Sequence, residues 1–321
     1  MPQATLQVPI EAVREAARGL VGVAVRTPLL EVPRLTAQLG VPVFLKSEFQ
    51  QPVGAFKLRG AYTAIRRLAP ADRARGVITY SSGNHGLAVA YAARLHGVPA
   101  VIVMPETAPK VKVDGIRRYG GEVLFAGNRS VDRKLRAEEV ASGRGLMMIP
   151  PFDHPDVIAG QATCGLEIIE QRPDVDTILV PVGGGGLLAG ICTAVAAMMP
   201  SVRVVAVEPE GAAKLTAALA AGAPVALERT QSLADGLLPL SVGELTFPLI
   251  RDVVSEAVQV SEDEIAATVR FLHRELGLTV EPSGAVTAAA LLAGRTRPAG
   301  PAVAVATGGN VDPELFQRLV A

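Results

Sequence analysis

The 321-residue chain has no tryptophan, and aromatic residues make up only 4% of it. So few rings argue against base-stacking platforms and carbohydrate clamps. Net charge is missing as well, since 31 Lys and Arg balance 31 Asp and Glu. That removes the electrostatic case for nucleic acid or an anionic membrane as a partner. There are two cysteines, Cys164 and Cys192. Lacking CxxC spacing, they read as small apolar packing residues in a reducing cytoplasm. Met1–Gly19 carries acidic residues on an amphipathic spacing and does not read as a signal peptide. Charged residues are scarce at 19%, against 49% hydrophobic, which excludes disorder. One uncharged stretch, Thr177–Val202, is long enough to span a bilayer. Pro181 and four consecutive glycines divide it into strand, turn and helix, so it reads as buried core of a soluble protein.

Glycine (32) and proline (24) are plentiful, without a Gly-X-Y period, and mark many tight turns. Short β-rich runs alternate with helical ones. The strands expected are Val43–Lys46, Val77–Tyr80, Ala100–Met104, Glu122–Phe125, Leu146–Ile149, Ile178–Val182, Val202–Val207 and Ala302–Ala306. Helical spacing falls at Leu87–Leu95, Val113–Tyr119, Val131–Val140, Leu187–Met198 and Glu264–Leu276. The alternation predicts an α/β fold: open, twisted parallel sheets flanked by helices. The length leaves room for two domains. The strand–helix units between about Val77 and Ile149 make the smaller one, expected as residues 66–149, with residues 1–65 and 150–321 forming the larger. In such sheets ligands bind beyond the carboxyl ends of the strands.

Four turns at those ends carry polar or glycine-rich sequence. In Val53-Gly54-Ala55-Phe56-Lys57-Leu58-Arg59-Gly60-Ala61, Lys57 sits just inside a helix, flanked by apolar Phe56 and Leu58. Lysines number only six. An amine at a positive helix end, partly desolvated and near Arg59, has its ammonium form disfavoured, as a Schiff-base lysine requires. On this segment alone an ordinary surface lysine serves as well. In Tyr80-Ser81-Ser82-Gly83-Asn84-His85-Gly86 the hydroxyls and helix-end amides suit a carboxylate. Capping explains one of Ser82 and Asn84 but not the whole cluster. Gly183-Gly184-Gly185-Gly186-Leu187 opens a helix with bare amides, which makes a phosphate cup. The same segment, with Ala189 and with Glu208 downstream, also fits a dinucleotide fingerprint. Thr307-Gly308-Gly309-Asn310 offers a hydroxyl and close backbone approach, while Glu281-Pro282-Ser283-Gly284-Ala285 reads as a helix start.

Together these motifs closely resemble fold type II pyridoxal-phosphate enzymes of the serine/threonine dehydratase and serine racemase group, similar in architecture to the tryptophan synthase β chain. The likeness runs from Arg26-Thr27-Pro28-Leu29 to Thr307-Gly308-Gly309-Asn310-Val311-Asp312, through Ile158-Ala159-Gly160-Gln161 and Ala234-Asp235-Gly236. It decides against the dinucleotide reading, which explains neither Lys57 nor Ser81–His85. The resemblance implies pyridoxal 5′-phosphate as cofactor, with Lys57 as the lysine that carries it and later takes the α-proton. It implies Phe56 against the ring, Asn84 at the 3′-oxygen, Gly183, Gly184, Gly185, Gly186 and Leu187 at the phosphate, and Thr307 at the pyridine nitrogen. Ser81, Ser82, Asn84 and His85 would surround the substrate carboxylate, with Arg133 where the racemases have an arginine. Ala55 departs from the family's usual serine, altering a supporting hydroxyl.

The activity implied is dehydration and deamination of L-threonine, L-serine or a related β-hydroxy amino acid to a 2-oxo acid and ammonia. A serine racemase is the alternative, since Ser82 would supply an acid on the ring face opposite Lys57. A non-catalytic ligand-binding protein of the same fold is a further one, which an intact Lys57 opposes. A homodimer is expected from the family alone. The chain ends soon after the last glycine motif, leaving no room for the regulatory domain of the biosynthetic dehydratases, so control by isoleucine is not expected. Related enzymes bind Mg²⁺ or Ca²⁺ at a Glu-Pro-x-x-Ala-x-Asp segment. Here it reads Glu208-Pro209-Glu210-Gly211-Ala212-Ala213-Lys214, so no metal is expected. Lys214 either sets its charge against Glu208 or points to solvent.

Overall fold

A computed structural model describes residues 8–81, 83–108 and 110–321. Ten strands are present among them: β1 (Leu29–Glu31), β2 (Val43–Ser47), β3 (Val77–Tyr80), β4 (Ala100–Met104), β5 (Glu122–Phe125), β6 (Met147–Met148), β7 (Thr177–Pro181), β8 (Arg203–Pro209), β9 (Val254–Val260) and β10 (Ala302–Ala306). Six form one sheet in the order β1-β2-β10-β7-β8-β9, and four form another in the order β5-β4-β3-β6. Every pairing is parallel except that of β1 with β2.

The central strands are apolar because both their faces are covered. β7 (TILVP) and β10 (AVAVA) are buried at every position, as parallel strands between two helical layers must be. Two strands departed from expectation, β1 and β9. Both lie at the edges of the six-stranded sheet, where partial exposure dilutes the apolar signal.

The helix Pro282–Leu292 is apolar all round and almost wholly buried, which marks an internal helix rather than an amphipathic one. Glycines set how closely the helices below the site approach. A Cβ on Gly160, in the helix Pro155–Gln171, would lie 2.4 Å from the Arg59 carbonyl oxygen. One on Gly190, in the helix Gly186–Met198, would lie 2.6 Å from the Ala162 nitrogen. Backbone-to-backbone packing therefore fixes the Lys57 helix (Lys57–Arg67) and the helix that follows the glycine run on one support. Among the described residues, no helix is long and apolar enough to cross a membrane, and Cys164 and Cys192 are both buried and unpaired.

Candidate active site

The four turns singled out by sequence lie at the carboxyl ends of β2, β3, β7 and β10. The backbone ties two of them directly. Phe56 N donates to the Thr307 carbonyl at 3.1 Å, and Gly309 N donates to Gly54 O at 3.0 Å. Ala55 is buried and bridges Gly308 in antiparallel fashion.

Lys57 opens its helix, and its Nζ donates to the Pro151 carbonyl at 2.7 Å while lying 5.1 Å from the Phe56 ring centre. Desolvation lowers its pKa from the ordinary lysine value to about 8. Arg59 does not contribute to that shift as expected. It turns away, fully buried, to bond both carboxylate oxygens of Glu48 and of Glu167. Lys46 joins the same cluster through Glu167 and the Thr27 carbonyl. Thr27 of the Arg26-Thr27-Pro28 motif, whose hydroxyl also donates to Glu48 Oε1 at 2.7 Å, thus belongs to the buried network that anchors the base of the Lys57 helix.

On the β3 side, Asn84 and His85 begin the helix Asn84–His96, whose N-terminus no side chain among the described residues caps. Such an end presents amides to an anion. Ser81 Oγ accepts from Gly83 N at 3.1 Å, shaping the turn. Ser82 lies outside the described residues. His85 is buried, with Nε2 3.0 Å from the Ile149 carbonyl. Burial and then the nearby Lys57 charge lower its pKa to about 3, so the ring is neutral. A carbonyl only accepts, hence Nε2 carries the proton and Nδ1 is an acceptor. The ring therefore has no free donor for a carboxylate, and the anion contact available from His85 is its backbone N–H.

Asn84 is held at both ends of its amide. Nδ2 donates to Glu281 Oε1 at 2.7 Å, and Oδ1 accepts from Asn310 Nδ2 at 2.9 Å. Glu281 was read from sequence only as a helix start. It does precede the helix Pro282–Leu292 without capping it, because its carboxyl turns toward Asn84. Burial, reinforced by Asp235, pushes this carboxyl up to about 7.

The glycine run follows β7. Gly185 is the N-cap of the next helix at φ 92°, and a Cβ on Gly184 would lie 2.3 Å from the Phe152 ring. The Gly184 carbonyl accepts from Gly243 N at 3.1 Å and Thr246 Oγ1 at 2.9 Å. Asp153 in turn accepts from the amides of Glu244, Leu245 and Thr246. The segment Pro151-Phe152-Asp153 therefore accepts the Lys57 hydrogen bond, packs against the glycines and braces the loop that holds their carbonyl. Sequence reading missed this segment, whose only signal was a proline pair next to an aromatic residue. Leu187 buries its side chain in the core, leaving its amide as the polar group. Thr307 is buried, with Oγ1 3.4 Å from the Ser283 carbonyl. Arg133 is also buried and donates to the Asn128 carbonyl at 2.8 Å. No hydrogen bond among the described residues joins it to Lys57, Ser81, Asn84 or His85.

This arrangement combines a low-pKa amine, a fixed amide and a helix start of four glycines, packed so closely that a Cβ on Gly184 or Gly185 would run into Phe152 or Thr246. Residues 22–308 match the family described as pyridoxal-phosphate dependent enzymes. The chain belongs to that family. Its cofactor is pyridoxal 5′-phosphate, and the amine and glycine cradle suit an aldehyde and a phosphate on one small molecule. The chain is 44% identical to a biosynthetic L-threonine dehydratase of Pasteurella multocida over 269 residues, 84% of this chain and 52% of that protein. It thus spans about half of that relative's length. The solved structure of maize serine racemase superposes with a TM-score of 0.93 at 37% identity, covering 97% of this chain and 96% of that one. The processed form of threonine deaminase isoform 2 from Solanum lycopersicum gives a TM-score of 0.91 at 36% identity, covering 97% of this chain and 86% of that one.

Proposed function

We propose that this chain is an ammonia-lyase that dehydrates and deaminates L-threonine, L-serine or a related β-hydroxy amino acid to a 2-oxo acid and ammonia. The observation that carries the reading is the Lys57 amine, lowered to about 8 and set between the Asn84 turn and the glycine run. Bound there, pyridoxal phosphate supplies the electron sink for the carbanion character that develops at Cα. The amides of Gly183 to Leu187 would hold its phosphate, Phe56 would support its ring, Asn84 would bond its 3′-oxygen, and the Thr307 hydroxyl would serve its ring nitrogen. The Ser81–His85 turn would take the substrate carboxylate on helix-end N–H groups; the family resemblance adds the charge of Arg133, whose guanidinium donates here to the Asn128 carbonyl. Lys57, as free amine, removes the α-proton. The β-hydroxyl leaves as water, and hydrolysis then gives the 2-oxo acid and ammonia.

A hydroxyl at Thr307, unlike a carboxylate, would not keep a ring nitrogen of the cofactor protonated. That favours expulsion of the β-hydroxyl over a long-lived carbanion. Racemisation is the second reading, favoured by the serine at position 82, to which the family resemblance gives the role of an acid acting opposite Lys57, and by the likeness to maize serine racemase. A 2-oxo acid assay across a panel of β-hydroxy amino acids tests the first, with chiral analysis of recovered serine separating the second. Production of D-serine without 2-oxo acid would replace the lyase reading. Ser82→Ala is expected to leave dehydration within about tenfold, since Lys57 removes the proton, and to abolish any racemase activity.

The proposal includes three further expectations. Residues 66–149 form the smaller domain against 1–65 with 150–321, supported by the separate four-stranded sheet of β3 to β6. The protein works in the cytoplasm, supported by two unpaired buried cysteines, and pairs as a homodimer, which light scattering tests.

A further inference from the structure

Glu208, near the end of β8, and Lys214, at the start of the helix Lys214–Ala221, both have 0% exposure. The reading of Lys214 as a solvent-facing side chain is thereby excluded. Its Nζ donates to the Ala212 carbonyl at 2.6 Å and to Glu208 Oε1 at 3.2 Å. Glu208 Oε1 also accepts from Leu215 N at 2.8 Å. Oε2 accepts from Thr216 N and Thr216 Oγ1, both at 2.9 Å. A carboxylate at a helix N-terminus is favoured by the helix dipole, whereas an ammonium there is opposed by it. Burial disfavours the ammonium further. What keeps it there is the carboxylate and the carbonyl, an oxygen pair of the kind that a hard cation takes.

We infer that the Lys214 ammonium is a tethered cation, bridging Glu208 and the Ala212 carbonyl in place of a divalent ion and closing that position to metal. The residues do not fit the Mg²⁺ or Ca²⁺ that relatives with Glu-Pro-x-x-Ala-x-Asp take. The second acid is replaced by a positive charge, and the first already receives four donors. The bridge joins the end of β8 to the following helix by a contact that cannot be diluted away.

The test uses purified holoenzyme. Its turnover and melting temperature are expected to be unchanged by EDTA and by millimolar Mg²⁺ or Ca²⁺, and Mn²⁺ titration followed by electron paramagnetic resonance is expected to show no tight site. A stoichiometric Mn²⁺ site, or a severalfold loss on chelation that Mg²⁺ or Ca²⁺ restores, would overturn the inference. Lys214→Met keeps the volume and removes the charge. Leaving Glu208 buried without its ion partner is expected to lower the melting temperature by about 5 °C or more, and melting at the wild-type temperature would count against a cation role. Lys214→Asp restores the missing acid. It is expected to melt low in EDTA and to regain several degrees in Mn²⁺ or Ca²⁺. No gain with either ion would show that this position is not a cation's place.

Discussion

Asn84 donates to Glu281 Oε1 at 2.7 Å and accepts from Asn310 Nδ2 at 2.9 Å, so its amide is oriented before any ligand arrives. The three residues come from the turn after β3, the segment before the helix Pro282–Leu292, and the loop after β10. Asn310 also donates to the Val53 carbonyl at 2.8 Å, which extends the tie to the Lys57 loop. A paired network built around the buried Glu281 favours one arrangement, because leaving that carboxyl without its partner would incur a desolvation cost.

Glu281 gives this network a pH signature. Its folded pKa, about 7, lies above the ordinary glutamate value of 4.5. Between these values the folded state holds more protons than the unfolded, so stability falls as pH rises through that window and levels above 7. Glu281→Gln keeps an acceptor for Asn84 and removes the charge. Urea denaturation of the apo protein is expected to show the variant more stable at pH 8, by up to about 3 kcal/mol. The difference is expected to vanish near pH 4. An unchanged pH profile would refute a buried, raised carboxyl.

For Lys57 the sign runs the other way for reactivity. Burial lowers the amine to about 8, so the reactive free base grows roughly tenfold per pH unit below that value and then saturates. The rate at which apo protein captures pyridoxal phosphate is expected to follow this curve, read by absorbance in stopped flow. A midpoint near that of an ordinary lysine would contradict the desolvation. Lys57→Ala is expected to abolish 2-oxo acid formation while cofactor still binds through the glycine run, and wild-type turnover in that variant would sink the assignment.

Gly184→Ala places a methyl 2.3 Å from the Phe152 ring. The ring is held over the glycines, so the turn must shift and cofactor affinity is expected to fall about tenfold or more, equivalent to roughly 1.4 kcal/mol. Adding Phe152→Ala is expected to recover part of the loss. Equilibrium titration of the two variants checks both, and full affinity in Gly184→Ala would show that the ring yields freely.

Arg59→Met leaves Glu48 buried without its guanidinium. The side chains of this pair are 1% and 0% exposed, and Arg59 and Lys46 hold the Glu48 carboxyl below its usual range against the opposing effect of burial. Removing one partner is expected to cost about 3–5 kcal/mol. Arg59→Lys, which keeps charge but not the forked geometry, is expected to recover only part of it. A chemical denaturation midpoint within error of wild type for Arg59→Met would show that the pair is dispensable.

The sequence by itself determined the α/β class, eight of the ten strands and the four strand-end turns. These rest on local properties: β-rich apolar runs, glycines where backbone must approach closely, and helix starts bearing polar groups. It did not reach β1 and β9, whose edge positions weaken the pattern, nor the antiparallel sense of β1. It also misassigned the neighbour of Lys57, because two residues along a helix are close in sequence yet point to different faces. Only the tertiary structure decided that Arg59 is committed to Glu48 and Glu167, and that Glu281 orients Asn84 from 197 residues away. The same holds for His85, whose donor is taken by the Ile149 carbonyl, and for Lys214, which turns inward onto Glu208. Each of these outcomes depends on which partner a polar side chain meets once water is excluded, and that partner is chosen by packing between segments distant in the chain.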